Sequence, residues 1–419
     1  MLNPLRMGVC EEHDYSHSVT LERAPKKCYT LEHNFILGSP PLKSFVLSSR
    51  ELSKLAIMAL LATAAFGLSG LIMILIMQSM TMQSYAADSM DKHGISEVQS
   101  SRLGGVAVAI GVLVSMAFLL LSGYRGGNIN APLGIYWPLW LGAFGCFFLG
   151  LLEDLRNNSL SPRSRLLSKS LLLLVVFLLL PSLVPYSVGI PGVDWLLGFS
   201  WLALTITLFF SVGFINAVNT IDGANGLLAG IFTITCVIFS REIPGIAGYN
   251  VALQSAFYGA SLFLIFNVIS GRLFLGDAGA YGLGASLAIS GLYLFYDNVF
   301  SAAFLACLFA YPCIDFIMTL ARRYRAGRSI FLPDNDHLHN RIHYHFQRWL
   351  PSKTLANSMT GGLVVASSSG LTAAGYIYQW WPVTSDLWAW LFLFQCVGYW
   401  TVFYLTGLGR VNVQYELRL

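Results

Sequence analysis

Eleven apolar runs follow one another along this chain, each long enough to cross a hydrocarbon core of about 30 Å. They cover roughly residues 54–78, 103–122, 135–152, 166–182, 195–214, 223–240, 251–270, 280–296, 299–320, 360–379 and 387–408. Polar connections separate them, and after the N-terminal tail the longest is 321–359. The pattern predicts an all-α fold, a polytopic transmembrane helix bundle of about 10–11 spans. The expected organisation is a polar tail at 1–52, an integral membrane domain at 53–409 and a C-terminal tail at 410–419. No apolar h-region opens the chain, so no cleavable signal peptide is expected. No internal repeat and no inverted pair of broken helices is visible in the sequence.

Composition agrees with the pattern. The chain is 55% hydrophobic and 11% charged, whereas soluble domains carry about 25% charged residues. The formal net charge of +4 is too small to point to nucleic acid. Cys146, Cys236, Cys307, Cys313 and Cys396 lie in apolar runs, where a reduced buried thiol is expected, and no CxxC pair is present.

Charge asymmetry orients the bundle. If every run crosses once, the connections at 79–102, 152–165, 215–222, 271–279 and 321–359 share one side with the C-terminus. That side holds sixteen Lys and Arg, and the other holds two, Arg125 and Arg241. The positive-inside rule makes the first side cytoplasmic. The same parity puts the tail, with seven more Lys and Arg through Lys54, outside. That runs against the rule and points to an error in the first span or in the start of the chain.

Every unusual polar cluster falls on the cytoplasmic side. Glu153 and Asp154 end the third run, where two carboxylates at the negative end of a helix need a positive partner. Arg163 and Arg165 follow at the mouth of the next run. The stretch Ile215–Leu227 reads INAVNTIDGANGL, and its Asn216, Asn219, Asp222 and Asn225 recur every three residues. On one helix they would share a broad face of oxygen donors suited to a hard cation. Asp277 lies among glycines in FLGDAGAYGLG just before a span, where free backbone N–H groups form an anion site. Four histidines (His337, His339, His343 and His345) stand in the basic loop. Their spacing lacks Cys partners and an HExxH run, so the residues favour anion binding over a zinc cage. Asp315 lies near the cytoplasmic end of its run, where an ion pair with Arg322 or Arg323 is the simple expectation.

Taken together, the motifs SRLGGVAV at 101–108, LLEDLRNNSLSPRSRLL at 151–167, NAVNTIDGANGL at 216–227, FLGDAGAYGLG at 274–284, PCIDF at 312–316 and RAGRSIFLPDNDHLHN at 325–340 resemble one family. It is that of the polyprenyl-phosphate N-acetylhexosamine-1-phosphate transferases, in the pattern of the branch that initiates O-antigen, enterobacterial common antigen or teichoic acid. The resemblance implies a magnesium- or manganese-dependent enzyme of the bacterial inner membrane. It would move a sugar-1-phosphate from a UDP-N-acetylhexosamine to undecaprenyl phosphate and release UMP. Membrane lipid surrounds it, a homodimer is left open, and nucleic acid is not a partner.

The resemblance also implies residue roles. Asn219 and Asp277 match the metal positions, and Glu153, Asp154 and Asp222 the catalytic carboxylates. His337 and His339 match the His motif near the nucleotide-sugar site, Gly104 and Gly105 the early Gly-Gly, and Arg163 a basic position after the carboxylate pair. With Arg165, Asn225 and Arg341 they are the expected substrate-binding residues. Three residues depart from the family pattern. Glu153 replaces the first Asp of a pair, Asn225 replaces a second Asp, and Asn340 stands in the His cluster. A cation- or proton-coupled transporter using Asp222, Asp277 and Asp315 is the rival reading. A midplane site reached from both sides would favour it.

Overall fold

A computed structural model describes residues 48–82, 87–88, 100–122, 137–156, 160–242, 247–327, 329 and 336–408. All but the last few residues of the expected tail, and the whole of 409–419, fall outside them. The described residues are almost entirely helical. The helices are α1 (Ser49–Met80), α2 (Gly104–Leu121), α3 (Trp137–Leu155), α4 (Pro162–Leu179), α5 (Pro191–Leu197), α6 (Ser200–Thr220), α7 (Leu227–Glu242) and α8 (Ala247–Ser270). They continue as α9 (Gly276–Tyr296), α10 (Ala302–Leu308), α11 (Ala310–Arg325), α12 (Leu338–Gln347), α13 (Lys353–Ser367), α14 (Ser369–Ile377) and α15 (Trp388–Leu408). Local chemistry sets several starts. Ser161, Ser301 and Ser352 accept a backbone N–H of the first turn that follows, and Pro162 takes the first position of α4, where no N–H is needed.

All eleven apolar runs are helical, but not all as single spans. Six described helices are long and apolar enough to cross a membrane, or seven if α10 and α11, bent by 79°, count as one. That is fewer than the 10–11 expected. α7 has only 16 residues, and the run at 360–379 is divided between α13 and α14 at Ser368. The chain is a multi-pass membrane protein.

α1 corrects the expected first span. Gly67 takes φ +64° and ψ −153°, outside helical geometry. The chain reverses there, because a Cβ on Gly70 would overlap the carbonyl of Ala62. In a straight helix those residues would be about 12 Å apart along the axis. At the bend, Phe66 packs edge-on against Tyr258 in the middle of α8. At the start, Glu51 pairs at 2.6 Å with Arg272, just beyond the end of α8. The start of α1 therefore lies at the Arg-rich end of the bundle. A hairpin in place of a span leaves the parity of later helices unchanged and brings Arg50 and Lys54 to that same side.

α9 is the buried centre, packed against α3, α6 and α2. Its small residues permit that closeness. A Cβ on Gly150 of α3 would overlap the Asp277 carbonyl, and one on Gly105 of α2 would overlap the Gly279 backbone. The segment before α9 is held by α2's lead-in: Phe274 N donates to Ser101 O, Gly104 N to Phe274 O and Gly105 N to Leu275 O, at 2.8–2.9 Å. These contacts fix where α9 begins, and the candidate site is built on that beginning.

Candidate active site

The C-terminal ends of α3 and α6 and the N-terminal ends of α4 and α9 meet at one end of the bundle. Asp154, in the last turn of α3, turns into the start of α9. Its two oxygens accept from Asp277 N at 3.0 Å and Ala278 N at 2.8 Å. Asp222 accepts from Gly276 N at 3.1 Å. Two carboxylates therefore cap α9, where a helix has unpaired N–H groups and a partial positive charge. The expected open anion site at this Gly-rich turn is filled by the protein itself. Gly276 allows this with φ +69°, since a side chain there would run into Asp154.

The cap confines negative charge. Burial pushes the Asp154 carboxyl up to about 7, against the pull of the Ala278 N–H, and the nearby Asp277 charge adds to the rise. Burial likewise raises Asp222 well above the usual carboxylate range, opposed by the Gly276 N–H. Glu153 is buried beside them. Its Oε1 accepts from Leu160 N at 3.1 Å and its Oε2 lies 3.4 Å from Arg165 Nε. Arg165 also stands 4.0 Å from Asp277. Thus Arg165, expected on a phosphate, is the counter-charge of the carboxylate cluster, and Glu153 ties the end of α3 to the start of α4. Arg163 sits on the exposed first turn of α4.

The repeat Asn216, Asn219, Asp222, Asn225 does not form one helical face, because α6 ends at Thr220. Asn216 accepts from Lys169 Nζ at 2.5 Å and donates to Val212 O at 2.9 Å. Asn225 is buried and donates to Ser358 of α13 at 3.2 Å, while its Oδ1 has no partner among the described residues. Gly104 and Gly105, expected against substrate, pack backbone to backbone with 274–279.

Lys169 escaped the sequence reading as a site residue. It is buried, and its ammonium lies 3.9 Å from the centre of the Tyr281 ring of α9. The signal was present, since a lysine early in an apolar run is costly without a function.

The histidine loop closes the site from α11 and α12. His337 Nδ1 lies 2.6 Å from Asp315 Oδ2, and Tyr399 donates to the other oxygen at 2.8 Å. Asp315 therefore pairs with His337, not with Arg322 or Arg323 as expected. Arg322 instead lies 3.7 Å from Asp336. Nε2 of His339 lies 3.8 Å from where a Gly223 Cβ would stand, beside Asp222. Arg341, expected on substrate, is saturated by the protein. It forks onto Asp336 at 2.7 and 2.8 Å, donates to Phe403 O at 2.8 Å and lies over the Phe403 ring.

No three His, Cys, Asp or Glu residues form a metal cage among the described residues. Mg²⁺ does not need one, because it keeps several waters and takes one or two protein carboxylates. The side chains of Asn219 and Asp277 form no hydrogen bond with the described residues, and Asp277 adds charge to a cluster already crowded with carboxylates. Donors and electrostatics both fit a hard divalent cation.

Residues 136–295 match the model of glycosyl transferase family 4. The matched stretch holds Glu153, Asp154, Arg165, Asn219, Asp222 and Asp277, but not the histidine loop. The chain is 28% identical over 280 residues to the "Probable undecaprenyl-phosphate N-acetylglucosaminyl 1-phosphate transferase" of Bacillus subtilis (strain 168), covering 66% of this chain and 74% of that protein. It is 28% identical over 204 residues to the phospho-N-acetylmuramoyl-pentapeptide-transferase of Bacillus mycoides (strain KBAB4), covering 46% of this chain and 60% of that protein. To the phospho-N-acetylmuramoyl-pentapeptide-transferase of Bacillus thuringiensis (strain Al Hakam) it is 25% identical over 276 residues, 63% and 81% of the two chains. The family match and these relatives make the chain a phosphotransferase enzyme.

Proposed function

We propose that this enzyme transfers N-acetylhexosamine-1-phosphate from a UDP-sugar to undecaprenyl phosphate, releasing UMP. The reaction would be the first membrane step of a cell-surface polysaccharide of the O-antigen type. The observation that carries the reading is the convergence of Asp154, Asp222 and Asp277 on the start of α9, with Arg165 and Lys169 beside them, inside the family 4 match. The His loop's pattern and its Asn340 support the polysaccharide branch over the muramoyl-pentapeptide branch.

An oxygen of the lipid phosphate attacks the β-phosphorus of the UDP-sugar. The bond from that phosphorus to the UMP oxygen breaks, and UMP leaves. Such a transfer asks the protein mainly for positioning and charge neutralisation. A divalent cation on Asp277 and Asn219 would supply charge neutralisation for the pyrophosphate. Arg165 and Lys169 place fixed positive charge next to the same carboxylates. Both oxygens of Asp154 accept N–H groups of α9, which suits a positioning role better than proton removal. Arg163, His337 and His339 are the further candidates to contact the nucleotide-sugar and lipid phosphates.

An apolar groove between α2, α3, α7, α8 and α9, with a cavity volume of about 140 Å³, begins at Gly105 and Gly279, two residues from Asp277. It supplies room for part of a prenyl chain. The transporter reading loses ground because the polar groups gather at one end of the bundle. Membranes given undecaprenyl phosphate and a panel of UDP-N-acetylhexosamines, with UMP release followed, test the proposal. Release of UMP dependent on both substrates supports it, and uptake without any release would overturn it.

A further inference from the structure

One face of α11 is built around the histidine motif. Tyr311, Asp315 and Thr319 recur every four residues and so line one stripe of the helix. The Tyr311 hydroxyl accepts from His339 N at 3.0 Å and lies 3.0 Å from the His339 ring Nδ1. Asp315 meets His337 Nδ1 at 2.6 Å and accepts from Leu338 N at 3.1 Å and Tyr399 Oη at 2.8 Å. Thr319 Oγ1 is 3.4 Å from the same His337 nitrogen. The two imidazoles stack 5.4 Å apart with 10° between their planes.

These partners orient the rings. A carboxylate can only accept, so Asp315 holds a His337 proton on Nδ1. The Tyr311 hydroxyl holds both the backbone N–H and the ring Nδ1 of His339, and the ring's Nε2 faces the turn at Gly223. The carboxylate and the hydroxyl thus fix how both stacked rings stand beside the Asp222 turn.

We infer that Tyr311 and Asp315 are positioning residues, which hold the His339 and His337 rings in place to grip the nucleotide-sugar. The inference rests on the proposed transferase reaction and reaches further, because both residues act only through the histidines.

The test is a pair of double-mutant cycles on the full chain in membranes, with transfer from the UDP-sugar as readout. Asp315→Asn removes one charge-assisted hydrogen bond and is expected to raise KM for the UDP-sugar about tenfold, with kcat within about threefold. Asp315→Glu is expected to recover part of that loss. Asp315→Asn on top of His337→Ala is expected to add nothing to the effect of His337→Ala alone. Multiplicative effects, or a fall in kcat at constant KM, would overturn the inference. If Asp315→Asn does not accumulate, Tyr311→Phe with His339→Ala runs the same cycle with the loss of a single hydroxyl. The inhibition constant of UMP locates the grip: a rise parallel to KM places it on the UMP half of the nucleotide-sugar, and no change places it on the remainder. Absence of UMP release by the wild type refutes the transferase reading itself. Wild-type turnover with multiplicative variants refutes only the role of α11.

Discussion

Asp154→Asn separates what the α9 cap does for stability from what it does for chemistry. The substitution keeps shape but removes charge. One oxygen still accepts from α9, while the new NH₂ faces the other backbone N–H. Losing a charge-assisted bond and leaving that donor unpaired costs about 2–4 kcal/mol. Against this stands the burden of a buried charge. The Asp154 carboxyl titrates near 7 in the fold, against 3.8 when free. At about 1.4 kcal/mol per pH unit, holding it ionised above pH 7 destabilises the fold by about 4 kcal/mol relative to full protonation. The folded state binds the proton more tightly, so stability falls as pH rises between roughly 4 and 7. About 2 kcal/mol of that fall lies between pH 5.5 and pH 8, and Asp154→Asn does not share it. Asp222 is present in both proteins, and without the Asp154 charge its carboxyl is raised less in the variant, which widens the difference in the same direction. Thermal melts of detergent-solubilised protein in chelator, at the two pH values, provide the assay. The wild-type advantage should be about 2 kcal/mol larger at pH 5.5 than at pH 8, and a parallel response of the two proteins to pH would refute the reasoning. Transfer activity should fall by roughly a hundredfold or more at every pH from 6.5 to 8.5, about 3 kcal/mol of transition-state positioning. A defect that shrinks at high pH would return Asp154 to the role of base.

Other expectations are simpler. Asp277→Ala should abolish divalent-dependent transfer while the protein still inserts, and near-normal transfer by that variant would remove the metal assignment. Gly276→Ala places a side chain at φ +69° against the Arg102 carbonyl and the Asp154 carboxylate. It should destabilise the fold by about 2 kcal/mol or more, read as lower melting temperature and yield. Lys169→Met keeps length without charge and should lower transfer at least about tenfold, with the melting temperature less affected than in Gly276→Ala. Gly67→Ala, in the bend of α1, should be disfavoured by strain alone, by about 1–2 kcal/mol, because nothing lies within 4 Å of its Cβ position.

Much of this protein was legible in the order of its residues. Apolar run length fixes helices and membrane residence, since a backbone in lipid must satisfy its own hydrogen bonds. Lys and Arg asymmetry gives the bundle an expected orientation. Carboxylates and glycines on one side announce a charged site, because such groups are costly in an apolar chain without a partner. What the order of residues could not contain was partnership. Asp154 and Asp222 became caps only when α3 and the 221–226 turn met α9 in space. Arg341 was a candidate for phosphate until the fold gave it Asp336 and Phe403. Asp315 looked like a partner for its own helix's arginines, but α12 brought His337 closer. Lys169 was one of many cationic side chains until burial against Asn216 and Tyr281 set it apart. Gly67 read as one more small residue in a span, and only the contact of Gly70 with Ala62 makes it a reversal. Periodicity is local and survives in sequence. Hydrogen-bond partners tens of residues apart are chosen by packing, and only tertiary structure records that choice.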